Sequence, residues 1–121
     1  MNPLACILFS SFLFINCGKM QQVKSISTSE LSVLLSKEKI QLIDVRTPKE
    51  IEGGYIETAL FINYFDVHFV DTLLSKLDKN KAVCIYCKSG GRSEKAVKKI
   101  LEKGYEAYTI LGGYKQWKQE N

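Results

Sequence analysis

No uncharged apolar stretch of this chain is long enough to cross a bilayer as a helix. The longest covers residues 4–15, and a transmembrane helix takes roughly 20 residues. Hydrophobic residues make up 45% and charged residues 25%. That balance excludes a multi-span membrane protein, a disordered chain and a collagen-like chain. Histidine occurs once, as His68. After residue 17 only Cys84 and Cys87 could join it on a metal, too few for a four-ligand zinc site. No metal site is expected, and His68 reads as a surface residue. Aromatic and basic residues do not interleave as they would on a nucleic-acid platform, so no nucleic-acid partner is expected. No internal repeat or low-complexity tract occurs, and 121 residues leave room for a single domain.

Cysteine is present four times, but not as a disulfide framework. Cys6 and Cys17 belong to the apolar leader. Cys84 and Cys87 are three positions apart in one extended segment, where strand geometry turns them to opposite faces. The run over residues 4–15 has the length of a signal-peptide core. Phe14-Ile15-Asn16-Cys17-Gly18-Lys19 resembles a bacterial lipoprotein box. That resemblance implies cleavage before Cys17, acylation of Cys17 and a lipid-anchored protein of the bacterial cell envelope, periplasmic or extracytoplasmic. An ordinary cleaved signal, or an uncleaved anchor with Cys17 as a bystander, are the alternatives. The expected organisation is a signal peptide over 1–16, a tether over 17–25 and a domain over 26–121. Every charged side chain follows Cys17, so the net charge of +4 belongs to what remains after cleavage.

The domain reads as alternating strands and helices. Ser27-Thr28-Ser29-Glu30 fits a capping box, with Ile26 and Leu31 as its hydrophobic staple. Leu31, Leu34 and Leu35 then form one helical face. Residues 40–45 read as a buried strand, 46–54 as loop or short helix, and 59–62 as a short strand. From Asp66, residues Val67, Val70, Leu73, Leu74 and Leu77 recur at helical spacing, which predicts an amphipathic helix that includes His68. Residues 82–86 form a second buried strand. Ser93 opens a helix with Ala96, Val97, Ile100 and Leu101 inward and Lys95, Lys98, Lys99 and Lys103 mostly outward, with Gly104 suited to its C-terminal cap. A last strand over 105–111, a Gly112-Gly113 turn and a terminal helix with Trp117 complete the chain. The pattern predicts an α/β layer fold with a mostly parallel sheet.

The chemistry concentrates in Cys87-Lys88-Ser89-Gly90-Gly91-Arg92. Cys87 follows a strand, at the end where open parallel sheets bind ligands. Its loop leads into a helix N-terminus, where backbone N–H groups are free and the macrodipole is positive. Gly90 and Gly91 let those N–H groups turn inward around an anion. Lys88 and Arg92 add positive charge. Such a site lowers a thiol pKa and holds a reactive thiolate with an anionic substrate. Cys84 and Cys87 also spell C-x-x-C. Cys84 falls inside an apolar strand, however, and reads as a core thiol rather than half of a redox pair.

These residues resemble the rhodanese-like sulfurtransferases. Cys87 to Arg92 is similar to that family's Cys-x-x-Gly-x-Arg loop, and Asp44-Val45-Arg46 to its Asp-Val-Arg start. Glu50-Ile51-Glu52-Gly53-Gly54-Tyr55-Ile56 resembles its Glu-aromatic-x-x-Gly-His-Ile segment, with Tyr55 in the place of His. Leu111-Gly112-Gly113 with Trp117 resembles its C-terminal signature. Thr58 stands at a common Gly, Phe61 at a common Asn and Asn63 at a common Pro. The resemblance covers about residues 26–118 and implies an open three-layer α/β fold with a central sheet of four or five strands. It further implies that the Cys87 thiolate takes a sulfur from a donor such as thiosulfate, holds it as a persulfide cradled by N–H groups of residues 88–92 in an active-site loop that extends to Ser93, and passes it to cyanide or a thiol, including a protein thiol. Arg92 would brace the loop or contact the anion, and Asp44 and Arg46 would support the loop. No cofactor is implied, and a monomer is expected. Phosphatase and arsenate-reductase relatives use a loop one residue longer, Cys-x5-Arg, but residue 93 here is serine. Those activities, and a non-enzymatic persulfide carrier or redox sensor, are the competing readings.

Overall fold

The computed structural model describes residues 22–121; Cys6 and Cys17, with the leader and most of the tether, lie outside them. Five strands form one sheet: β1 (Lys24–Ile26), β2 (Ile40–Asp44), β3 (Leu60–Phe61), β4 (Ala82–Tyr86) and β5 (Ala107–Ile110). Their order is β1-β5-β4-β2-β3, and every pairing is parallel. Five helices connect them: α1 (Thr28–Ser36), α2 (Pro48–Glu52), α3 (Phe69–Lys76), α4 (Gly91–Leu101) and α5 (Gly113–Glu120). Among the described residues no helix is long and apolar enough to cross a membrane.

Strand alternation sorts the core into two layers. Ile43, Val83 and Ile85 point to one face and pack on Phe69 and Leu73 of α3 and Ala96, Val97 and Ile100 of α4. Leu42, Cys84 and Tyr86 point to the other and pack on Leu31 of α1 and Ile56, with Tyr114 and Trp117 of α5 against them. Covering both faces is what an all-parallel sheet requires. Each fully buried Leu, Ile or Val contributes about 1.5–3 kcal/mol relative to leaving it exposed. This is the three-layer α/β architecture the sequence predicts.

The capping box at α1 is formed: Ser27 Oγ accepts from Glu30 N–H at 3.0 Å, and Ser27 N–H donates to Glu30 Oε1 at 2.8 Å. Several boundaries differ from the sequence reading: the strands expected over 59–62 and 105–111 are shorter, Leu60–Phe61 and Ala107–Ile110, and three other differences change what the elements do. Lys24 and Ser25, expected in the tether, pair with Tyr108 and Thr109 of β5 as an edge strand; three residues with a mostly exposed pattern give no alternation to read. The third helix starts at Phe69, with His68 at its N-cap. Val67 is 89% exposed, and the buried face is set by Phe69 and Leu73 instead. The helix after Cys87 begins at Gly91 rather than Ser93, which brings its free N–H groups closer to the cysteine. Thr58 holds φ at +74°, a left-handed conformation that a β-branched side chain adopts at a cost.

Candidate active site

Cys87 sits directly beyond β4 and is 1% exposed. The chain leaves the strand here, and the Cys87 and Lys88 carbonyls are held by the start of α5: Tyr114 N–H donates to Cys87 O at 2.9 Å and Lys115 N–H to Lys88 O at 3.0 Å. With the carbonyls held outward, the following N–H groups face the sulfur. Gly90 N–H donates to Cys87 Sγ at 3.1 Å and Ser93 N–H lies at 3.5 Å from it. Gly90 reaches this geometry at φ +136°, which favours glycine. Gly113 serves the close approach from the other side. A Cβ there would stand 2.6 Å from Lys88 O and 2.8 Å from Cys87 O.

The two cysteines of C-x-x-C have opposite chemistry. Burial pushes the Cys84 thiol up to about 12, with the nearby Glu106 charge adding to it. Burial also acts to raise Cys87, but the Ser93 N–H and hydroxyl, with the Gly90 and Arg92 N–H groups, outweigh it and bring the thiol below its ordinary 9.0. The two belong to opposite layers of the core, so Cys84 is no redox partner. Ser93 is fixed behind the sulfur: its hydroxyl is 2.6 Å from Thr109 Oγ1 and 3.6 Å from Cys87 Sγ.

Around this nest a second shell of charges is locked. Arg92 donates through both terminal nitrogens to Glu50, at 2.8 and 2.9 Å. Hydrogen bonding to Arg92 is the main cause that holds Glu50 at about 2, well below its ordinary 4.5. Glu50 is positioned by a capping box at α2, its Oε1 accepting from Thr47 N–H at 3.0 Å. Asp44 and Arg46 form a buried pair at 2.8 Å. Arg46 also donates to Gly54 O at 2.7 Å and lies over the Tyr114 ring, 4.2 Å from its centroid. The side chains of Asp44 and Arg46 make no hydrogen bond to residues 87–93; Arg46 reaches Glu50 O and Gly54 O, and Glu50 in turn holds Arg92.

Lys88 and Ser89 are exposed at the mouth. A Cβ on Gly90 or Gly91 would meet nothing within 4 Å, so the loop opens to solvent on that side. Beside it stand exposed aromatics: Tyr55 packs edge-on against Phe61 at 4.9 Å, and the Arg92 guanidinium lies 5.7 Å from the Phe65 ring centre. Among the described residues no group of His, Cys, Asp and Glu could hold a metal. Glu50, Thr109 and Tyr114 were not among the residues the sequence picks out for the site. Thr47-Pro48-Lys49-Glu50 carries a readable signal for Glu50, a capping box with proline at the first helical position. Thr109 and Tyr114 carry none, since their part depends on contacts across the fold.

At a strand end of a parallel α/β domain stands a cysteine whose pKa is lowered by the N–H groups around it. The family model for the rhodanese-like domain matches residues 27–120, and the chain belongs to that family. It is 35% identical over 97 residues to a sulfurtransferase of Allochromatium vinosum, covering 78% of this chain and 88% of the relative. It is 32% identical over 96 residues to a thiosulfate sulfurtransferase of Coxiella burnetii, covering 78% and 87%. The solved structure of a human single-domain sulfurtransferase superposes with a TM-score of 0.70 at 25% identity, covering 82% of this chain and 98% of that one.

Proposed function

We propose that this protein is a sulfurtransferase that carries sulfane sulfur as a persulfide on Cys87. The observation that supports it most is the N–H nest at Cys87 Sγ, with Gly90 N–H at 3.1 Å and the thiol held below its ordinary range. The thiolate attacks the outer sulfur of thiosulfate. The Cys87 S–S bond forms as the donor's own S–S bond breaks, and sulfite leaves with the electron pair. The persulfide's outer sulfur carries the negative charge and is stabilised by the loop N–H groups, which are already aimed inward and need no reorganisation. An acceptor nucleophile, cyanide or a thiolate, then takes that sulfur and returns the Cys87 thiolate, completing two-step covalent catalysis. The names of the relatives support the same chemistry.

Loop size favours sulfur over a tetrahedral oxyanion. Cys87 to Arg92 leaves four residues between cysteine and arginine, and both terminal nitrogens of Arg92 are engaged by Glu50. Incubation with thiosulfate followed by intact mass spectrometry tests the reading. A gain of one sulfur is expected on the wild type and none on Cys87→Ser. No gain on the wild type, or equal gain on both, overturns it, as does Cys87-dependent turnover of an aryl phosphate. For residues 1–17 the proposal is a cell-envelope lipoprotein acylated at Cys17, since stable anchoring takes more than one chain. An acyl mass on the native protein at Cys17 is the expected result.

A further inference from the structure

Because every strand runs the same way, the domain has two distinct ends. Where the strands finish lie Cys87 and the ion pairs found among the described residues, Asp44–Arg46 and Glu50–Arg92. The segments around that end, 44–54, 63–71, 87–95 and 111–115, hold six basic side chains and six carboxylates. Where the strands start, the balance changes. Segments 22–24, 36–39, 76–81 and 102–106 hold seven lysines and four carboxylates. All seven lysines are exposed, and among the described residues none is in an ion pair. Most of the +4 net charge is thus gathered on the end away from the active site.

A depression of about 340 Å³ is lined by Leu35, Ile40 and Leu60 together with two lysines, Lys76 and Lys81, and one carboxylate, Glu38. Ammonium groups beside aliphatic surface suit a phosphate headgroup with its first methylenes. The chain also enters the fold here. Lys24 at the start of β1 pairs with Tyr108 and Ile26 with Ile110, so β1 begins at the lysine-bearing end. From Cys17 to Val23 the chain reaches at most about 20 Å, and the apolar run over 4–15 precedes it. A tether this short keeps the same end turned toward whatever holds the leader.

We propose that the strand-start end lies against an anionic phospholipid surface, which presents Cys87 to the aqueous side. This rests on the reading of residues 4–17 as the membrane attachment, through either an acylated Cys17 or a retained leader. The experiment uses the full chain reconstituted into phosphatidylcholine vesicles, with and without phosphatidylglycerol. A water-soluble acetylating reagent is applied and each lysine is read by mass spectrometry. In anionic vesicles Lys24, Lys37, Lys39, Lys76, Lys79, Lys81 and Lys103 should react several-fold more slowly than in zwitterionic ones, and high salt should remove the difference. Lys88 and Lys115, at the catalytic end, should react equally in both. The double variant Lys79→Glu/Lys81→Glu should lose most of the protection and keep its sulfur loading. A chain that floats with vesicles but shows equal reactivity everywhere overturns the docking alone and leaves the face to an acidic protein. Protection of Lys88 and Lys115 instead overturns the orientation. A chain that floats with neither vesicle removes the attachment and the docking with it.

Discussion

The Glu50 carboxylate accepts from both terminal nitrogens of Arg92 and from the Thr47 N–H, so one side chain caps a helix and braces the loop that carries the nucleophile. Its pKa is held at about 2 against an ordinary 4.5. A depressed folded-state pKa gives stability that is present above the unfolded value and lost as pH falls toward the folded one. The wild type should therefore lose stability relative to Glu50→Gln as pH drops from about 4.5 to about 2, and the two urea midpoints should converge at the acid end. A gap independent of pH would remove the ion pair as its cause. At Cys87 the same logic favours the charged form, because the loop N–H groups stabilise thiolate. Cys84, three residues earlier, points into the opposite layer and stays protonated.

At the scale of elements, the meeting of the catalytic loop with α5 is a tight backbone joint. Gly113 holds φ at +60°, and a Cβ there would lie 2.6 Å from Lys88 O. Gly113→Ala should cost roughly 1–3 kcal/mol in urea unfolding and slow persulfide loading. Gly53→Ala is the control: its Cβ would meet Glu50 O at an ordinary 3.6 Å, and stability should hardly change. The strand before Cys87, the helix after it and the capped first helix were readable because each has a local signal: an apolar run, a 3.6-residue period, a capping box. Lys24–Ile26 was not, because an edge strand of three residues owes its form to β5 rather than to its own pattern. The start of α3 was misplaced because Val67 keeps the helical spacing while lying outside the helix. Within the site, Cys87 and its glycines were legible from local chemistry. The partner of Arg92, 42 positions away, is brought in by the fold, and so is Thr109 behind Ser93.

The whole molecule rests on one sheet shared by two helical layers. Leu73 anchors the α3–α4 layer and Leu31 the α1–α5 layer, and both are fully buried. Either residue changed to Ala should cost about 2–5 kcal/mol, with an unchanged dependence on urea, because both layers lean on the same strands and melt together. A shallower slope in only one variant would mean that the layers part. The joint between α5 and the loop also has a consequence for the timing of synthesis. The hydrogen bonds that hold the Cys87 and Lys88 carbonyls outward come from Tyr114 and Lys115, which follow the loop in the chain. On the ribosome they emerge after it. A nascent chain that carries Cys87 but not yet Tyr114 and Lys115 therefore has the loop without these two anchors.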